Sequence, residues 1–164
     1  MADNALGQRR ILRVALGLEP VFEEHYGPLW AELRKHTILE RVETPEELVA
    51  AISGEEDHGA PLPWALLITD AALTEKHYSQ LWKRVVEYIR DGGTAICMGV
   101  VQHLRETGRR EAVQKAGLSW EMGWYHQATT EIDSSGIGAV VAAALPQSYN
   151  QKPMYLKEVL PGEA

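Results

Sequence analysis

The sequence predicts one three-layer α/β domain: a mostly parallel, doubly wound sheet of the flavodoxin-like type with helices on both faces. Three observations predict it. Short apolar runs ending in glycine or aspartate alternate with amphipathic segments of helical period, the pattern of successive βαβ units. The run Trp64–Thr69 (Trp-Ala-Leu-Leu-Ile-Thr) is almost wholly apolar, as a strand covered on both faces must be. The chain has 164 residues, 45% of them hydrophobic. That length suits a single domain over residues 1–164, able to bury roughly two-thirds of its unfolded surface without a disulfide or metal. The ends, residues 1–8 and 161–164, are expected to be loose, and an irregular C-terminal part is expected from about residue 118.

The elements follow in order. Ile11–Leu16 reads as the first strand, turned at Gly17. A helix is expected within Val21–His36, broken near Gly27-Pro28 because proline disfavours helix in the residue before it; Leu29, Trp30 and Leu33 share one face. Ile38–Val42 is a short second strand. Thr44-Pro45-Glu46-Glu47 is a helix start: Thr44 caps, Pro45 fits the first helical position, and Glu47 stands where a capping box places its carboxylate. Ser53–Pro63 is a loop by composition. Trp64–Thr69 is the third strand, ended by Asp70. The helix expected over Thr74–Asp91 carries Tyr78, Leu81, Trp82, Val85 and Ile89 on one stripe. Gly92-Gly93 stops it, since glycine tolerates the left-handed C-terminal position. Thr94–Met98 is the fourth strand. Val100–Gly117 reads as helix in two pieces, Ser119–Tyr125 as strand and Thr129–Ser135 as loop. Ile137–Leu145 fits helix or strand, and Met154–Val159 is the last strand.

Charge and cysteine narrow the function. Lys+Arg is 16 against Asp+Glu 23, a formal charge of -7. That argues against a nucleic acid or an acidic membrane surface as partner, because both want a basic face. No apolar run approaches the roughly 20 residues of a membrane-spanning helix. Cys97 is the one cysteine, so no internal disulfide can form. The first ten residues hold no apolar signal core. A cytoplasmic protein is expected, with a small molecule or another protein as partner and a homo-oligomer open.

Right-handed crossovers would gather three loops beyond the C-terminal strand ends, where such sheets bind ligands: Gly17–Glu24, Asp70–Glu75 and Cys97–His103. Cys97 is the first chemical candidate. At a strand end before a helix, a thiol can be exposed and its pKa lowered. His103 follows, and Glu23 or Glu24 could approach from the first loop, completing an activated-thiol set. Against this, free cysteine is among the most buried residue types, and alternation sets Cys97 on the face of Ala95 in a sheet expected to be covered. Trp124, Tyr125 and His126 could line a pocket together with Asp70, Met98 and Gly99, or pack as core. His25, beside Glu23 and Glu24, is open to a metal or acid/base role, but no histidine pair has a metal-site spacing. The phosphate-binding glycine motifs and the serine-hydrolase elbow are absent, so no cofactor is expected.

The stretch Leu66–Gly99 resembles the class I glutamine amidotransferase-like superfamily. Leu-Leu-Ile-Thr-Asp (66–70), Leu73-Thr74-Glu75, Tyr88-Ile89, Asp91-Gly92-Gly93-Thr94 and Ala95-Ile96-Cys97-Met98-Gly99 carry the resemblance. The form is similar to ThuA-like proteins and to the amidotransferase-like domain of some β-galactosidases, many of which lack the catalytic cysteine and serve binding or assembly. Ala-Ile-Cys-Met-Gly also looks like the elbow of the PfpI protease and deglycase branch. That likeness implies Cys97 as nucleophile and Glu23 or Glu24 as its partner. Met98 stands where the deglycase branch has a small residue, no histidine directly follows Cys97, and His126 is followed by Gln127-Ala128 rather than by x-Glu. The resemblance therefore implies a domain without the standard triad, acting by small-molecule binding or protein assembly. The alternative is a cysteine-dependent hydrolase, deglycase or lyase acting on a small carbonyl or amide. In it Cys97 attacks, His103 or His126 moves the proton and Glu23 or Glu24 activates the thiol.

Overall fold

The structure, a computed structural model, describes residues 9–17, 20–53, 61–98, 113–132, 139–152 and 154–160. Of residues 20–23, 122, 124, 125 and 154–156 it describes the backbone alone. The chain divides into two units, Met1–Leu118 and Ser119–Ala164, at the point where the sequence changes character.

The first unit runs β1 (Arg10–Val14), α1 (Pro20–Leu33), β2 (Ile38–Val42), α2 (Pro45–Ile52), β3 (Ala65–Ile68), α3 (Ser79–Arg90), β4 (Thr94–Cys97). Its four strands form one sheet in the order β2-β1-β3-β4, every pair parallel. Parallel neighbours need crossover connections, usually helical, and an α-helix lies in each of the three connections. This is the α/β class expected, and its strand order is that of a doubly wound sheet.

Period-two alternation splits the sheet into two faces. Leu12 and Val14 of β1, Leu66 and Ile68 of β3 and Val42 of β2 join Leu48 of α2 and Leu81, Val85 and Tyr88 of α3 in one buried cluster. Leu12, Val14, Leu48, Leu66 and Val85 are wholly buried; sequestering a side chain of that size is worth roughly 1.5–3 kcal/mol. Arg13 points the other way. It is buried too, and its guanidinium lies 5.0 Å from the ring of Trp30 in α1.

α2 begins as its sequence dictates. The Thr44 hydroxyl accepts from the Glu47 N–H at 3.2 Å, and the Glu47 carboxylate accepts from the N–H groups of Thr44 and Glu43. Those hydrogen bonds hold the Glu47 carboxyl below the usual carboxylate range. Thr44→Ala removes half of the capping box. It is expected to lower stability by about 1 kcal/mol in urea unfolding, and an unchanged midpoint would contradict that role.

Several elements depart from expectation. α1 does not break near Gly27-Pro28 but runs through Pro28. The proline is exposed while Trp30, two residues on, is 2% exposed, so burial of the Trp30 ring outweighs one missing helical hydrogen bond. Two 3₁₀ turns, Ala72–Thr74 and Lys76–Tyr78, precede α3 where a continuous helix was expected from Thr74. The buried stripe of α3 passes through Leu81, Val85, Val86 and Tyr88, leaving Ile89 exposed. Tyr88 takes the inner place because its hydroxyl donates to the Pro63 carbonyl at 2.7 Å. Burial pushes its pKa up. Gly92 has φ +97° and is required by its backbone conformation, whereas Gly93 is required by packing, since a Cβ there would stand 2.3 Å from the Tyr88 ring. The helix expected over Val100–Gly117 lies outside the described residues as far as residue 112; Val113–Lys115 are helical. The expected loose ends also lie outside them.

The second unit contains β5 (Glu121–Tyr125), β6 (Ala128–Glu131), α4 (Ala139–Ala144), β7 (Ser148–Gln151) and β8 (Met154–Lys157). β5 pairs antiparallel with β8, and β6 with β7. Thr129–Ser135 reads as loop because it is polar, yet β6 occupies its first part. Cross-strand polar pairs explain this: the Thr129 hydroxyl donates to Asn150 Oδ1 at 3.1 Å, and the Gln151 amide to the Thr130 hydroxyl at 2.6 Å.

Candidate functional site

The carboxyl ends of β1, β3 and β4 lie side by side, and backbone bonds carry the pairing past the strands. The N–H of Thr69 donates to the Val14 carbonyl at 3.0 Å, and its hydroxyl donates to the same oxygen at 2.8 Å. The N–H of Met98 reaches the Ile68 carbonyl at 2.8 Å. The ends of three strands, β1, β3 and β4, therefore share one rim.

Asp70 braces that rim. It is 4% exposed. One carboxylate oxygen accepts from the N–H of Gly17 at 2.7 Å and the other from the N–H of Ala72 at 2.9 Å. The first bond ties the turn after β1 to the turn after β3, and the second starts the 3₁₀ turn that leads to α3. A buried carboxylate needs such donors, because an unpaired charge away from water is very costly. Gly17 is part of the brace: a Cβ there would lie 3.3 Å from the Asp70 carboxyl carbon. Asp70 thus enters the rim as the residue that shapes it, both of its oxygens already engaged by backbone.

Cys97 ends β4, an edge strand of the four-stranded sheet. Alternation and an expected cover on both faces favoured a core thiol, whereas Cys97 is exposed. Its neighbour Ile96 is 49% exposed. The physical reason is position: among the described residues β4 has a sheet neighbour on one side only. Exposure governs access, but charge follows the surroundings of the sulfur. Protein around the thiol desolvates it and pushes its pKa above the ordinary value, so the neutral thiol is favoured. An activated nucleophile needs the opposite shift.

The other candidates are distributed as follows. Met98 follows Cys97 and is half-buried. Gly99 and His103 lie outside the described residues. Glu23 and Glu24 are not in a first loop but within α1, with Glu24 exposed; Glu23 is described by its backbone alone. His25 is exposed beside them, its ring edge-on to Tyr26 at 5.4 Å between centroids. Trp124 and Tyr125 belong to β5, described there by backbone, and His126 follows them, exposed, in the second unit. Among the described residues no group of three or more His, Cys, Asp or Glu side chains could hold a metal ion; the Glu23 side chain, one of the carboxylate neighbours of His25, lies outside them.

One feature of the surface was not anticipated. Trp64, placed by its apolar neighbours in a buried strand, is 56% exposed, and the Arg9 guanidinium lies 3.6 Å from its ring centre. It borders a cavity of about 460 Å³ with Leu62, Tyr88 and Gly93, at the amino ends of β3 and β4. The available signal was Pro61-Leu62-Pro63 just before it, since prolines cannot donate to a sheet ladder and mark its boundary.

The fold and rim define a parallel α/β arrangement with a braced carboxyl-end surface and an exposed thiol at its edge. No family model matches the chain, and neither a curated protein nor a solved structure does. Among the described residues, no helix is long and apolar enough to cross a membrane.

Proposed function

We propose that this chain is a divergent, intracellular member of the amidotransferase-like superfamily that acts by binding a small molecule or by protein assembly, without thiol catalysis. The observation that carries this reading is the state of Cys97: the residue at the elbow position of the resemblance has its thiol pKa raised by desolvation. The parallel order β2-β1-β3-β4 supports the superfamily part. The rim held by Asp70, Gly17 and Ala72 supports binding, because a preformed surface loses little entropy when it takes a ligand. Homo-oligomer formation is the assembly mode that the reading allows.

A second reading is kept because Cys97 is exposed and so open to a substrate. In it Cys97 attacks a small carbonyl or amide, with His103 or His126 moving the proton and Glu23 or Glu24 activating the thiol. Incubating wild type and Cys97→Ser with a panel of small aldehydes and amides separates the two. The binding reading expects no product above background from either protein. Turnover by wild type that is lost in Cys97→Ser would overturn it in favour of the enzyme.

A further inference from the structure

We draw no further inference here: the strongest candidate, the cavity between Leu62, Trp64, Tyr88 and Gly93 at the amino ends of β3 and β4, is an open hollow of mixed polar and apolar lining with nothing in the structure to show what covers it.

Discussion

Asp70→Ala is expected to lower the unfolding free energy by about 1–3 kcal/mol, the cost of a buried donor left without its partner. The estimate follows from the buried Ala72 N–H losing its acceptor at 2.9 Å; the Gly17 N–H, bonded at 2.7 Å, belongs to an exposed residue and can turn to water, so it adds little. Part of this is offset, since the variant no longer buries a carboxylate. Asp70→Asn keeps the shape and one carbonyl acceptor but loses the second, so it should fall about midway between wild type and alanine. Urea unfolding of the three proteins gives the order, and hydrogen exchange gives the location. The Gly17 and Ala72 amides should exchange faster in both variants. If Asp70→Ala stays within about 0.5 kcal/mol of wild type, the brace is not what holds the rim.

Leu66→Ala is expected to cost about 2–5 kcal/mol, the range for emptying a leucine site in a packed interior. Leu66 is wholly buried, sits on β3 opposite Leu12 of β1 and Ala95 of β4, and belongs to the buried cluster under α2 and α3. Ile96→Ala is the internal control: it removes a larger side chain than a methyl from the same sheet, but at a position 49% exposed. The control should cost less than half as much as Leu66→Ala. Equal losses at the two positions in thermal or urea unfolding would mean that the edge strand is buried in solution.

The α/β class was legible because its signals are local. Leu12, Val14, Leu66 and Ile68 stand in short apolar runs, and the breaks at Gly17, Asp70 and Gly92-Gly93 fall where strands and a helix end. The cap at Thr44 was legible for the same reason, since all its atoms come from residues 43–47. What the sequence hid depends on distant partners. Pro28 reads as a helix stop until Trp30 is seen to be buried. Tyr88 rather than Ile89 faces inward because of a carbonyl at Pro63, far away in sequence. β6 reads as loop until Asn150 and Gln151 are set against Thr129 and Thr130. For the candidate site, the position of Asp70 at the carboxyl end of β3 was legible from the end of the apolar run, but not the brace it makes with Gly17. The exposure of Cys97 was not legible: alternation gives the face a side chain occupies, not whether its strand lies at the edge of the sheet.

The thiol of Cys97 is where the account is most directly tested. The measurement is the rate at which native Cys97 reacts with a small thiol probe, taken as a function of pH. Because Cys97 is exposed, labelling should proceed without unfolding. Because desolvation raises its pKa, the thiolate should be scarce at neutral pH, and the midpoint of the rate should lie above roughly 8.5, the value of a free thiol. Rapid labelling at pH 7 with a midpoint well below that value would contradict the account and make Cys97 an activated nucleophile.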